Sequence, residues 1–219
     1  MEELKIKKQN IKPKFTSKFV NLFDIEYEPG RHYFDATRRD IDNVVAIKSN
    51  DEFKNMLPDA VTCIVIIKQK GEEPRLLLNY EYRYPTGQFL LSPPAGLIDP
   101  EDLEGLDPLR LAAVREIREE TGIEVKDSDR VFTVNPLVFS TPGLTDECNA
   151  LVCAVIELDD LCSLTQDNCV GTEKFSGFEA VNVEAAKVLL KNGRDKEGRF
   201  YSLYTWATLM YFISGMWEE

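Results

Sequence analysis

The chain has 219 residues, with 26 Lys plus Arg against 38 Asp plus Glu and a formal net charge of −12. That balance excludes a protein that tracks a nucleic-acid backbone, which needs a basic face to displace counterions from phosphates. With 43% hydrophobic residues the chain can bury a sizeable core, so wholesale disorder is excluded as well.

Apolar runs such as Cys63 to Ile67 and Leu76 to Leu78 fall far short of the roughly 18–20 residues that a membrane-spanning helix requires. The opening MEELKIKKQN is charged with no apolar segment behind it, so neither a signal peptide nor a membrane partner is expected. Five cysteines, Cys63, Cys148, Cys153, Cys162 and Cys169, are odd in number and contain no CxxC pair. The expectation is reduced thiols in a cytoplasmic protein, not disulfides or a zinc site.

In chain order, residues 1–15 are Lys-rich and interrupted by Pro13, which reads as a flexible arm. Phe19 to Tyr27 and His32 to Arg39 are aromatic-rich and flank Glu28-Pro29-Gly30, the pattern of an antiparallel β-hairpin. A hairpin alone is marginally stable in water, so the β-rich extension at 16–58 must pack on the main body or on a second subunit. The main body, 59–219, opens with VTCIVIIKQ and RLLLNYEYR joined by Gly71-Glu72-Glu73-Pro74, a second hairpin. Further strands are expected at Phe89 to Leu91, Val131 to Val138, Leu151 to Glu157 and Phe178 to Val181. Three helices are expected: Leu109 to Thr121 closed by Gly122, Val183 to Lys191 closed by Asn192-Gly193, and Tyr201 to Ser214 before Gly215. Strands and helices in this non-alternating order point to an α+β fold and not to a doubly wound parallel sheet.

The stretch that carries chemistry is PPAGLIDPEDLEGLDPLRLAAVREIREETGI, from Pro93 to Ile123. Glu116, Glu119 and Glu120 stand three and four residues apart, so their carboxylates project from one side of the helix. Leu109, Ala112, Ala113 and Ile117 supply the apolar stripe opposite. Like charges in the last turn repel one another and oppose the helix dipole. Arg115 and Arg118 offset part of this, and a divalent cation among the carboxylates would offset the rest. Hard oxygen donors suit Mg²⁺ or Mn²⁺. A solvated charged face is the plainer reading of REIREE taken alone.

The wider stretch resembles the signature of the Nudix hydrolases: Gly, five residues, Glu, seven residues, then Arg-Glu-aliphatic-x-Glu-Glu-x-Gly-aliphatic. Its second half is complete here as Arg115, Glu116, Ile117, Glu119, Glu120, Gly122 and Ile123. The first half departs. Counting back from Arg115 reaches Asp107 where the family has Glu, whereas counting forward from Gly96 reaches Asp102, so the loop around PEDLEGL carries an insertion.

NYEYRYPTGQFLLSPPAGLID and STPGLTDE resemble the ADP-ribose pyrophosphatase branch of that family. The resemblance implies an α/β/α sandwich with a mixed sheet and an N-terminal hairpin extension that serves dimerisation and substrate binding. It further implies metal ligands at Ala95, Glu116 and Glu120, with Glu119 beside them, and Arg115 orienting the carboxylates. Substrate contacts are implied at Phe19 and Phe34, flanking a base, at Arg39 and Arg83, and at Gly96, Pro142, Gly143 and Glu147. Where the branch commonly has acids this chain has Ser92 and Ser176, which leaves Glu173, in the loop from Gly171 to Gly177, as the candidate general base. The implied activity is Mg²⁺-dependent hydrolysis of a nucleotide sugar, with ADP-ribose favoured, by a homodimer. The alternatives are a non-catalytic nucleotide sensor, or a Nudix enzyme acting on another nucleotide sugar or NADH.

Overall fold

The Lys-rich N-terminal stretch also holds Ile6, Ile11 and Phe15, enough apolar surface for one strand to join a small sheet. In the computed structural model, which describes residues 5–169 and 173–219, β1 (Ile11–Thr16), β2 (Asn21–Glu28) and β3 (Arg31–Thr37) form an antiparallel sheet in the order β1-β2-β3. The hairpin expected from the aromatic-rich segments is β2–β3. Its turn contains Gly30, whose φ of 74° is readily open only to glycine.

Where a loose arm was expected, β1 pairs Ile11 with Ile25, and Ile11, Phe23, Ile25 and Val44 close a small core. Pro13 fits because β1 is an edge strand, and its register breaks between Pro13 and Phe15. A short helix, α1 (Asn50–Lys54), follows inside the extension expected to be β-rich. The Ser49 side chain accepts from Glu52 N, and the Glu52 carboxylate from Ser49 N, a capping box written in Ser-Asn-Asp-Glu.

The chain divides into two compact units. One runs to Asp59 and takes in Leu137–Asn149; the other comprises Ala60–Pro136 and Ala150–Glu219. Besides the break after Asp59, the chain therefore passes between the units again after Pro136 and after Asn149.

The second unit is built on β4 (Ala60–Lys68), β5 (Arg75–Arg83), β6 (Gln88–Ser92), β7 (Ala95–Leu97), α2 (Pro108–Thr121), β8 (Arg130–Phe139), β9 (Cys148–Glu157), β10 (Phe175–Val181), α3 (Val183–Asn192) and α4 (Leu203–Ser214). Strands β8 and β9 each have residues in both units. The sheet order is β10-β5-β4-β9-β8, with β6 on β5 and β7 on β4. Successive side chains of a strand face opposite sides, and β4 uses both faces. Val61, Cys63, Val65 and Ile67 pack with Ala112, Ala113 and Ile117 of α2, while Ile64 and Ile66 pack with Leu189 of α3 and Leu209 and Phe212 of α4. Burial on both faces explains why β4 reads as an unbroken apolar run, and it yields the α/β/α layering.

One edge of β5 carries β10. The other is shared, since Leu77 pairs with Val65 of β4 while Asn79 pairs with Ser92 of β6. Between β6 and β7 stand Pro93 and Pro94, which have no N–H to extend either ladder. They carry the chain from β5 to β4, where Cys63 N donates to Pro94 O at 2.7 Å. This crossing places the Ala95-Gly96 backbone beside α2.

Candidate active site

Local sequence sets the ends of α2. Asp107 caps it, its carboxylate accepting from Arg110 N at 3.1 Å, and Pro108 begins it. Gly122, with φ 73°, closes it in the left-handed conformation. Within those ends, Ala112, Ala113 and Ile117 face the sheet, and this fixes the direction of the carboxylates. Glu116 is 5% exposed and Glu120 is 2% exposed. Glu119 is half-buried.

The backbone from β7 closes over these acids. Ala95 N donates to Glu120 Oε1 at 3.1 Å. A Cβ on Gly96 would stand 1.9 Å from Glu116 Oε1, so glycine here is a requirement of space. Ala95, Gly96, Glu116 and Glu120, singled out in the sequence, are thus brought together.

Arg115 ties the loop to the helix. One terminal nitrogen donates to Glu116 Oε1 at 2.7 Å and reaches Glu119 Oε2 at 3.4 Å. The other donates to Leu97 O at 2.8 Å and Asp102 Oδ2 at 2.9 Å. Burial works against the guanidinium charge, but Asp102 and Glu116 outweigh it and raise the Arg115 pKa above its usual value. The two sequence counts for the first acid now separate. Asp102, buried and also accepting from Asp99 N, is the partner of Arg115, whereas Asp107 is the helix cap. Asp102→Ala is expected to lower stability by about 2 kcal/mol and also to reduce turnover, because Arg115 loses a buried partner. Asp107→Ala should cost about 1 kcal/mol and leave turnover near wild type. Thermal unfolding and steady-state kinetics on both variants check the assignment.

Two participants were not singled out in the sequence. Asn79, fully buried on β5, donates to Glu120 Oε2. Glu81 lies two residues on, on the same face of the strand, is 9% exposed, and pairs with Arg83 at 2.6 Å. The signal was present in NYEYR: polar Asn79, Glu81 and Arg83 alternate with tyrosines in a strand that otherwise reads as buried. Glu173 precedes β10, whose Phe175 pairs with Glu81. The loop expected from Gly171 to Gly177 lies partly outside the described residues.

Burial pushes the Glu116 carboxyl up to about 7; Arg115 pulls it down, while Glu119 and Glu173 push it further. Burial also raises Glu81 to about 7, with Arg83 opposing and Glu173 adding. Glu120 is held well above its usual value by burial, against the Ala95 N–H bond and reinforced by Glu81, Glu116 and Glu173. The enclosed Glu120 therefore feels Glu81, Glu116 and Glu173, and Glu173 also acts on Glu81 and Glu116.

Among the described residues, no three His, Cys, Asp or Glu side chains already converge on one cation position. Glu116 is turned to Arg115, and Glu120 to Asn79 and Ala95 N. The donor set nevertheless fits a hard divalent cation in chemistry: buried carboxylate oxygens in mutual repulsion, around an Asn79 Oδ1 with no partner.

Phe19, Phe34, Arg39, Pro142, Gly143 and Glu147 belong to the first unit. Phe34 and Pro142 line a cavity of about 310 Å³ with Ile25, Tyr33, Phe53 and Phe139. Phe19 is 71% exposed and is not among the lining residues. Gly143 O accepts from the Tyr33 hydroxyl at 2.7 Å, and Glu147 accepts from Arg38 Nε at 2.7 Å. Arg39 is enclosed, its guanidinium holding Asp59 at 2.7 Å and Asp146 at 3.1 Å.

Asp35, on the cavity wall, is buried with Oδ2 unpartnered. Burial and then Asp146 push its carboxyl from 3.8 to about 6, against the Asp146 N–H bond and Arg39. A pKa raised on folding gives stability that is present below pH 3.8 and lost as pH rises through 6. The change corresponds to roughly 2–3 kcal/mol. Asp35→Asn should flatten the melting temperature between pH 4 and 7 by that contribution, as read by thermal unfolding across that range.

Known proteins resemble this chain in fold and in sequence. A crystal structure of an ADP compounds hydrolase superposes with a TM-score of 0.52 at 16% identity, covering 94% of this chain and 92% of that one; this is a likeness of fold. A Saccharomyces cerevisiae protein named ADP-ribose pyrophosphatase is 33% identical over 132 residues, 59% of this chain and 52% of its own length. A Mus musculus ADP-sugar pyrophosphatase is 32% identical over 107 residues, 49% of this chain and 45% of its own. The chain thus spans about half the length of the curated relatives it matches. The NUDIX domain model matches residues 56–204, a range that includes the whole of α2 and the Ala95-Gly96 turn, and the chain belongs to the Nudix family.

Proposed function

We propose that the chain hydrolyses the pyrophosphate linkage of a nucleoside diphosphate derivative, with ADP-ribose as the preferred substrate and AMP and ribose 5-phosphate as products. The observation that carries this reading is the pair of enclosed carboxylates, Glu116 and Glu120, seated under the Ala95-Gly96 backbone with Glu81 and Glu173 nearby. A diphosphate brings negative charge to a site that already holds too much of it. The residues that would hold a divalent cation, Mg²⁺ or Mn²⁺, are Glu116, Glu120, Glu119 and the Ala95 carbonyl. When bound, such a cation supplies neutralisation of the diphosphate and activation of a water.

The chain's own residues do the rest. Arg115 holds Glu116 and Glu119 in place through the anchor at Asp102 and Leu97 O. Glu173 is the carboxylate proposed to accept the proton of the attacking water. Arg83, half-exposed at the end of β5, is the proposed phosphate contact. The names of the yeast and mouse relatives support an ADP-linked substrate. The exposed aromatic side chains Phe15, Tyr33 and Phe34 on the three-stranded sheet, with Phe19 in its β1–β2 turn, support a homodimer through that sheet, which sedimentation at micromolar concentration can read.

The direct test is incubation with ADP-ribose and Mg²⁺, separating nucleotides by chromatography. AMP should appear, and a chelator should abolish it. Release of a monophosphate from a different nucleotide sugar or from NADH, with ADP-ribose untouched, keeps the reaction and overturns the substrate. Binding of ADP-ribose without hydrolysis of any of these compounds makes the chain a sensor.

A further inference from the structure

The starting observation is a pair of buried polar groups with no hydrogen-bond partner among the described residues. Asn79 is fully buried; its amide nitrogen donates to Glu120, and its Oδ1 has no partner. Directly across the β5–β6 ladder, Ser92 is buried with its hydroxyl unpartnered. Orphaned buried groups destabilise a fold, and a folded protein that keeps two side by side has reason to present them to something.

Glu81 belongs to the same surface. Residues two apart on a strand share a face, so Glu81 follows Asn79 along the side of β5 that reaches α2. It is nearly as enclosed as Glu116, and its charge acts on Glu120 ahead of that of Glu116. Among the described residues its ion pair is to Arg83, a side chain 44% exposed, so that pairing compensates a buried carboxylate only in part. A salt bridge to a solvated arginine does not require enclosure near Glu120 and Glu173. A cation shared with Glu116 and Glu120 does.

We propose that Glu81 is a metal-holding carboxylate of this site, supplied by the sheet and facing those of α2, with Asn79 Oδ1 as acceptor for a water that Mg²⁺ retains. The inference rests on the hydrolase reading above. It assigns a role to a residue that the helix signature does not contain.

The test is a titration of Mn²⁺ into the full chain without substrate, read by the electron paramagnetic resonance of free Mn²⁺ and by the melting temperature. Glu81→Gln should bind Mn²⁺ about tenfold more weakly, or worse, and gain less thermal stability from it. Arg83→Gln, which removes the ion pair and keeps the carboxylate, should bind Mn²⁺ at least as tightly as wild type. If Glu81 acted only through its salt bridge, the two variants would behave alike, and that result overturns the proposal. Wild-type Mn²⁺ affinity in Glu81→Gln, with Glu120→Gln weakened, also overturns it and leaves the hydrolase reading standing. Wild-type protein that binds no Mn²⁺ removes the hydrolase reading itself. Should Glu81→Gln fail to fold, Glu81→Asp, which keeps the charge on a shorter arm, carries the same comparison.

Discussion

Glu120→Gln should abolish turnover of the preferred substrate, by about 10³-fold or more, while the protein stays folded. The magnitude follows from the several kcal/mol that a cation's charge contributes in the transition state, at about 1.4 kcal/mol per decade. The fold should survive because the substitution removes a buried charge that its surroundings already disfavour. The Asn79 amide can also turn its unpartnered Oδ1 to accept from the new side-chain amide, while the remaining oxygen still faces Ala95 N. Glu116→Gln should behave similarly, although Arg115 then loses part of its ion pairing. Steady-state kinetics and circular dichroism on the same preparations separate loss of chemistry from loss of structure. Turnover within tenfold of wild type in both variants would remove α2 from the reaction.

Gly96→Ala should have the next largest effect, a fall in kcat of about 10²-fold with little change in helix content. The new methyl would lie 1.9 Å from Glu116 Oε1 and 2.4 Å from Oε2, closer than atoms can pack. Neither partner moves freely. Glu116 is held by Arg115, and Gly96 is paired in β7 with the fully buried Val61 of β4. Displacement of the carboxylate, the softer of the two, is the expected outcome. Gly30→Ala makes a useful contrast. Its Cβ would meet nothing within 4 Å, yet φ is 74°, so its effect should be a modest loss of stability without a specific loss of turnover. Kinetics and melting temperatures of the two alanine variants distinguish a steric requirement from a conformational one.

The parts of the fold most legible in the sequence were those set within a dozen residues. The three longer helices stand where apolar spacing and the closing glycines placed them, with Gly122, Gly193 and Gly215 all in the left-handed conformation. Strands β4, β5, β6, β8, β9 and β10 also fall where expected, with ends shifted by a few residues, whereas β7, only three residues long and directly after two prolines, was not expected. Less legible was β1, because Lys12 and Lys14 are what an edge strand shows to solvent and look the same in an unpaired arm. The return of Leu137–Asn149 to the first unit carried no local mark either, since β8 and β9 continue through the boundary without a break in pattern.

The candidate site divides along the same line. The sequence by itself determined α2: Asp107 and Pro108 start it, Gly122 stops it, and the spacing of Glu116, Glu119 and Glu120 puts three acids on one side. Helix period and capping are local properties, so they can be read from one segment. Only the tertiary structure decided that Asp102 and not Asp107 meets Arg115, that Gly96 lies against Glu116, and that Asn79 and Glu81 join the acids from the sheet. The first three contacts join residues 13, 20 and 41 positions apart in the chain, and Glu81 acts on Glu120 across 39. Which face of β5 meets α2 depends on strand pairing, and a slip of one residue would have turned Glu81 to the opposite side.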